Sequence, residues 1–397
     1  MSRPPERHLP RWFLLTALLA VALNLRTPLT SLPPVVDDVA QSLGLTPAGV
    51  GLLTSVPVLC FALFTPASSW LVARTGPERA VLLAVLGVLV GTLVRSGGTV
   101  PAALVGTTVL GIGITIGNVA VPVVIARDFQ RRAAGVTGAY TATMNLGSTL
   151  TTTLTVPLAG LFGWQWALAG WAVLAVVALA AWVPAGRALA AQDAGALPRP
   201  LPSAVALDPW RRRRTRRLTL VLCAAFAGQA SGYYAMTAWL PTILQDRLGL
   251  DAAQAGGAAA PFQLCAVAGS FLVPLAISRR VGFGPVSVLL AALWLALPVG
   301  MLAAPGAWAL WVCLAGAAQG GNFTAIFTLI AQRSPDVATA RRTSAVVQTA
   351  GYACAALAPT AIGAVHDATQ GWTVPLLVVT GLLLVMGVAL TAASRRP

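Results

Sequence analysis

Twelve apolar stretches, each long enough to cross a hydrocarbon layer of about 30 Å as a helix, constrain this chain more than any single motif does. They run over 12–34, 48–73, 79–96, 101–127, 135–159 and 165–184, then 218–244, 254–278, 284–303, 307–333, 343–366 and 372–393. Inside a bilayer no water is at hand for the peptide groups, so such segments close their hydrogen bonds internally as helices, and Pro and Gly within them are tolerated. Only 9% of the 397 residues are charged and 57% are hydrophobic, a balance outside the range of water-soluble domains. The pattern predicts an all-α membrane protein with twelve transmembrane helices.

The formal charge of +15 comes from arginine alone, since the sequence holds no lysine. A nucleic-acid surface would gather these charges on one soluble face. Here they are strung between apolar segments, which excludes nucleic acid as a partner and leaves membrane lipids and a small-molecule solute. With both termini in the cytoplasm, 23 of the 26 arginines fall on the inner side, Arg95 and Arg247 fall outside, and Arg26 lies within the membrane. Arginine in short inner loops orients a multi-pass protein, so the expected location is the plasma membrane with both ends cytoplasmic. Arg3, Arg7 and Arg11 before an apolar run with Ala20-Val21-Ala22 have the outline of a secretory leader. That run continues well past the outline and is read as a retained first helix. The interval 185–217, with Pro198, Pro200, Pro202 and Pro209 ahead of an arginine-rich run at 211–217, reads as a cytoplasmic linker. It separates an N-terminal six-helix bundle, 1–184, from a C-terminal one, 218–397, in a chain expected to act as a monomer.

The two bundles repeat each other about 205 residues apart. Leu32-Pro33 recurs as Leu240-Pro241, Gly44-Leu45-Thr46 as Gly249-Leu250-Asp251, and Gly117-Asn118 as Gly321-Asn322. Arg74 and Gly76 answer Arg279 and Gly282. In order, and with the same loop polarity, these matches indicate a parallel duplication about an axis along the membrane normal. That arrangement resembles the paired halves of major facilitator transporters, which implies a solute site between the halves near the midplane.

On a helix rising about 1.5 Å per residue, Arg26 lies roughly 20 Å into the first span, past the midplane. A guanidinium there costs at least about 2.5 kcal/mol, yet the eleven acidic residues all fall in tails, loops or span ends. Two readings stay open. Either an anionic or electron-rich solute docks on Arg26, or carbonyls freed by Pro28, or the pair Asp37 and Asp38, satisfy a structural arginine. Amides and hydroxyls donate to an anion without adding charge, so polar groups deep in corresponding helices complete the candidate solute-binding set. These are Asn24 and Thr30 beside Arg26; Asn118, Tyr140 and Asn145 in spans four and five; Gln229 and Tyr233 in span seven; and Asn322 and Gln348 in spans ten and eleven. For Ser and Thr, including Thr151 to Thr153, the alternative is a bond to their own helix or to a neighbouring one.

Other chemistries find little to work with. The five cysteines lie within apolar spans with no CxxC pair and read as small core residues, His8 and His366 are far apart, and no metal or cofactor is expected. A membrane enzyme, for instance a lipid-modifying transferase, needs acid/base or metal-binding groups clustered near an interface. The adjacent acidic pair Asp37-Asp38 is all the chain offers for that. There is no GxxxxGK[ST] loop, so transport draws on a gradient or on the solute's own potential. Multidrug efflux is the alternative within transport, and it favours a larger apolar pocket and often an embedded carboxylate.

Between spans two and three, Arg74, Gly76 and Arg79 resemble the major facilitator loop signature, which implies a gating loop, with Ala73 at the signature's Asp position. Further resemblance lies in Asn24-Leu25-Arg26-Thr27-Pro28, in Gly51-Leu52-Leu53-Thr54-Ser55-Val56-Pro57-Val58-Leu59-Cys60-Phe61 and in Gly117-Asn118-Val119 with Pro122 and Arg127-Asp128-Phe129. Thr137-Gly138-Ala139-Tyr140-Thr141 and Met144-Asn145-Leu146-Gly147 continue it. Together these stretches resemble the cyanate permease and 2-nitroimidazole transporter family of the major facilitator superfamily. The resemblance implies the major facilitator fold of two six-helix halves. It also implies permease activity towards a small anionic or nitro-bearing solute, by alternating access around Arg26.

Overall fold

A computed structural model describes residues 11–395 except 46, 196–208, 280 and 335. In the first half, span one is α1 (Arg11–Asn24) and the single turn α2 (Thr27–Thr30), with a short α3 (Val36–Leu43) after it. Spans two to five are α4 (Pro47–Thr75), α5 (Pro77–Arg95), α6 (Val100–Asp128) and α7 (Ala133–Phe162), and span six is the pair α8 (Trp164–Gly170) and α9 (Ala172–Gly195). In the second half, span seven is α10 (Pro209–Leu248) and span eight is α11 (Ala252–Ala259) with α12 (Pro261–Ser278). Spans nine to twelve are α13 (Phe283–Ala303), α14 (Trp308–Arg333), α15 (Val337–Thr369) and α16 (Thr373–Ser394). Ten of the twelve spans are long and apolar enough to cross a membrane on those grounds alone. The other two are α7 and α10, and α7 shows why: Thr141, Asn145, Ser148, Thr151 and Thr155 line one buried face, while Leu146, Leu150, Leu154 and Val156 are exposed on the other. A helix that turns its polar stripe inward and its leucines outward suits a lipid surround around a polar interior.

Helix α9 runs on past Pro184 to Gly195, and α10 opens on Pro209, whose missing N–H costs nothing in a first helical turn. Of the interval 185–217, residues 196–208 therefore lie outside the described residues. The linker prolines Pro198, Pro200 and Pro202 fall there.

Packing repeats between the halves. In the first, α5 packs on α6, α4 on α6, α1 on α9, α5 on α9 and α1 on α7. In the second, α13 packs on α14, α12 on α14, α10 on α16, α13 on α16 and α10 on α15, which is the same set of pairs six spans later. The two seams between halves, α4 with α15 and α7 with α12, are exchanged by the same relation. One repeated sequence signature has a local cause: Gly44 (φ 63°) and Gly249 (φ 67°) both adopt the left-handed conformation, which closes the preceding helix without a Cβ penalty. Two residues after Gly249, Asp251 caps α11 through the Gln254 amide in a reciprocal capping box.

The apolar core shows how the halves meet. At the end that carries the termini, one continuous cluster takes in Val72, Val124 and Val136 of the first half with Leu222, Leu329 and Val347 of the second. At the opposite end the clusters are separate, one around Leu32, Val39 and Leu53 and another around Leu240, Leu244 and Ile362. Among the described residues the halves are thus sealed together at the terminal end and joined by no shared cluster at the other.

Candidate functional site

Span one breaks where the sequence places its arginine. Proline has no N–H and its ring crowds the turn before it, so α1 stops at Asn24 and α2 restarts at Thr27 with Pro28 in its first turn. Arg26 sits between them with φ −128° and ψ −32°. Its carbonyl accepts from the amides of Leu29 at 3.0 Å and Thr30 at 3.2 Å, while its side chain leaves the helix and crosses the interior.

The guanidinium is buried, 8% exposed. Its Nη1 donates to Asn145 Oδ1 on α7. Its Cζ lies over the ring of Tyr233 on α10, 4.7 Å from the centroid, and 5.8 Å from that of Phe323 on α14. Each such ring contact is worth about 0.5–2 kcal/mol. The compensation for the intramembrane charge is thus one amide oxygen and two ring faces from three different helices. A guanidinium carries about five N–H donors, and beyond the bond to Asn145 the others find no protein acceptor among the described residues. Neither Pro28 nor Asp38 bonds it, and the Asp37 side chain lies outside the described residues: the Pro28 carbonyl is taken by Arg95 and Ser31.

Around the guanidinium runs a chain of rings. Tyr233 meets Tyr234 at 5.1 Å, Tyr234 meets Tyr352 at 6.5 Å, and Tyr352 meets Phe61 at 5.0 Å and Phe226 at 5.1 Å. Phe226 continues to Phe327 at 5.7 Å, and Phe327 to Phe323 at 4.7 Å. Tyr233 also accepts, on its hydroxyl, from Gln263 Nε2 at 3.2 Å.

Several buried amides are unpaired among the described residues: Asn145 Nδ2, Gln263 Oε1, and both polar atoms of Gln319 and of Asn322. A buried polar group without a partner costs about 1–3 kcal/mol; of these residues, Asn145 bonds Arg26 and Gln263 bonds Tyr233, the ring under Arg26. On α14, Gln319, Asn322 and Phe323 share one face, being three and four residues apart.

The residues singled out from sequence do not all converge. Arg26, Asn145 and Tyr233 are in direct contact. Thr30 lies one turn on and its hydroxyl pairs with Thr151 Oγ1 at 2.8 Å, while Asn322 stands beside Phe323, unpaired. Tyr140 donates to Asn118 Oδ1 at 3.4 Å. Asn24 is spent on backbone, donating to Ala20 O at 2.9 Å and Leu174 O at 3.0 Å. Gln229 is spent likewise, donating to the Gln319 carbonyl at 3.1 Å and accepting from Trp294 Nε1 at 2.8 Å, and Gln348 donates to Ser344 Oγ at 2.9 Å. Sequence reasoning passed over Phe323 and Phe226, which read as core, and Arg95, which reads as a loop residue.

In the candidate gating loop, Gly76 takes φ 85° ahead of α5, Arg74 lies over the Trp70 ring at 5.3 Å, and both Arg74 and Arg79 are exposed. The ion pairs at this end belong to other residues: Arg127 binds Glu78 at the start of α5 and its own neighbour Asp128 at 2.9 Å.

Comparison with known proteins agrees with this architecture. The sequence profile of the Major Facilitator Superfamily matches residues 13–359. The chain is 32% identical over 400 residues to the uncharacterized transporter YycB of Bacillus subtilis (strain 168), covering 100% of this chain and 96% of the relative. It is 33% identical to the 2-nitroimidazole transporter of Escherichia coli (strain K12), over 97% of this chain and 96% of that one. The cyanate transport protein CynX of the same organism is 29% identical, over 94% and 96%. Twelve helical spans in two matching halves, a polar interior, a profile match over most of the length and full-length kinship to transporters lead to one conclusion: the chain belongs to the Major Facilitator Superfamily, as a multi-pass membrane transporter and not an enzyme.

Proposed function

We propose that this protein is a secondary active or facilitative permease for a small, planar, anionic or electron-rich solute, which it moves by rocking its two halves about a central Arg26 site. One observation carries this reading: a buried guanidinium with a single protein acceptor among the described residues, lying over aromatic rings beside the unpaired Asn145 Nδ2. The arginine fork grips carboxylate-like and nitro-like groups in a bidentate way. The rings of Tyr233, Tyr234, Tyr352 and Phe323 give the guanidinium aromatic surroundings, and Asn145 Nδ2 is an unused donor beside it.

The names of two relatives, a 2-nitroimidazole transporter and a cyanate transport protein, fit that description. The aromatic surroundings favour the nitro-heterocycle, because a flat ring makes edge and face contacts with aromatic side chains that a linear ion does not. On this reading both termini lie in the cytoplasm, which the arginine distribution supports, and the halves are 1–184 and 218–397 with the linker 185–217 between them. The sealed terminal end is then the cytoplasmic gate, closed.

The experiment is a thermal-shift screen of the purified protein against cyanate, small carboxylates and nitro-heterocycles, followed by uptake into proteoliposomes. A ligand at about 100 times its Kd adds about 2.7 kcal/mol of stability. A protein that is stabilised by bulky lipophilic cations and by none of these solutes would refute the reading in favour of multidrug efflux.

A further inference from the structure

Arg95 ends α5 and reads from sequence as one of two arginines outside the membrane. In the structure it is buried, 2% exposed. Its Nη1 donates to the Pro28 carbonyl at 2.6 Å, and its Nη2 to Ser31 Oγ at 3.2 Å. Ser31, itself fully buried, donates to the same carbonyl at 3.3 Å. Helix α2 is one turn long, so its last carbonyls have no following turn of N–H groups to donate to them. The guanidinium of Arg95 reaches across from another span to supply that missing donor.

The root of Arg95 is held as firmly as its tip. Gly106 on α6 approaches so closely that a Cβ there would overlap the backbone N and Cα of Arg95. Helix α2 has no side-chain cap of its own, and apart from the hydroxyl pair Thr30–Thr151 its polar attachment to neighbouring spans is this fork. Arg26 is the residue that caps α2. Whatever fixes the orientation of that single turn fixes the direction in which Arg26 leaves it. An aliphatic side chain would fill the space of Arg95 without burying a charge, but it would leave the Pro28 carbonyl to the Ser31 hydroxyl alone.

We infer that Arg95 is a positioning residue for the Arg26 site: by holding the Pro28 carbonyl and Ser31 it sets the α1–α2 break so that Arg26 meets Asn145 and Tyr233. This rests on the reading of Arg26 as the solute site. Arg95 touches no solute and acts through Arg26.

The test uses the full-length protein and two probes, cyanate and 2-nitroimidazole, with binding measured by calorimetry. A second readout needs no ligand: the rate at which phenylglyoxal modifies Arg26, followed by peptide mapping. Arg95→Met weakens probe binding by about tenfold or more and speeds modification of Arg26 by about fivefold. Arg95→Lys, with one point donor for two acceptors, falls between Arg95→Met and the parent. Ser31→Ala, a minimal change that removes one partner of the fork, shifts both readouts the same way by a few fold, and it decides the matter if Arg95→Met does not fold. In an Arg26→Lys background the further loss on Arg95→Met shrinks below about twofold, because residues acting through one group are not additive. Unchanged binding and unchanged modification in folded Arg95→Met overturn the inference, as does an undiminished loss in the Arg26→Lys background. Should Arg26→Ala bind the probes normally, or the parent bind neither, the functional reading itself fails, and the modification rate still decides whether Arg95 positions Arg26.

Discussion

Replacing Asn145 by Asp changes one atom and gives Arg26 the counter-ion it lacks. The Asn145 Oδ1 already accepts from Arg26 Nη1, and the residue is fully buried, so the new carboxylate forms its ion pair without rearrangement. A bound anion must then sit near that carboxylate. Two unit charges about 4 Å apart interact by about 4 kcal/mol at an effective dielectric of about 20. Allowing for relaxation and water near the site, about 2–3 kcal/mol of that opposes binding, which is about a 30- to 150-fold loss of affinity. Cyanate meets the full repulsion; a neutral nitro-heterocycle, held partly by ring stacking, loses much less. The assay is calorimetric binding of both probes to purified Asn145→Asp, with the melting temperature measured on the same sample. An Asn145→Asp protein that melts higher and still binds cyanate at parental affinity would refute the reasoning, since it would show that Arg26 had wanted a structural partner and nothing more.

Other consequences follow from the same geometry. Asn322→Leu removes two unpaired buried atoms, so it should raise stability by about 1–3 kcal/mol while lowering uptake at equal protein level; unchanged uptake would assign Asn322 to helix packing. Asn118→Leu takes away the acceptor of the Tyr140 hydroxyl, so it should bring no such gain in stability, and unchanged uptake would likewise assign Asn118 to packing. Gly138 lies at the α7–α12 seam, where an added Cβ would stand 2.9 Å from the Ser270 carbonyl and 3.3 Å from Pro274. Gly138→Leu should therefore wedge the terminal end open and speed labelling of a cysteine placed at Ser270, and an unchanged rate would show that the seam is not the gate. A cysteine introduced within 185–217 should resist a membrane-impermeant reagent in intact cells; ready labelling would reverse the proposed orientation.

The broad fold was legible because it depends on quantities summed over about twenty residues: span length and apolar content. The repeat was legible for a local reason, since Gly44 and Gly249 must each end a helix with positive φ. Individual roles were less so, because each hangs on a partner far away in the chain. Asn24 looks like Asn145 in sequence, but its amide is used up on Leu174, 150 residues on. Gln229 is held by Gln319 and Trp294, 90 and 65 residues on. Arg95 ends an apolar run as a loop arginine would, and only Pro28 and Ser31, 67 and 64 residues earlier, bring it inside. Phe323 is indistinguishable from core until Arg26 lies over it. The burial of Arg26 was legible, because it lies deep in an apolar span, and so was the break that carries it, because Pro28 follows close behind.

The central claim is that this cation is held ready for a solute, and Arg26→Ala tests it most directly, with melting temperature and probe binding measured on one preparation. Removing the side chain takes away a buried charge together with its desolvation cost, so the variant should melt no lower than the parent, bind neither cyanate nor 2-nitroimidazole, and carry out no uptake. Arg26→Lys keeps the charge but not the fork, and should bind about 1.5–3 kcal/mol more weakly than the parent. An Arg26→Ala protein that melts markedly lower, yet whose folded fraction binds the probes at parental affinity, would contradict the account.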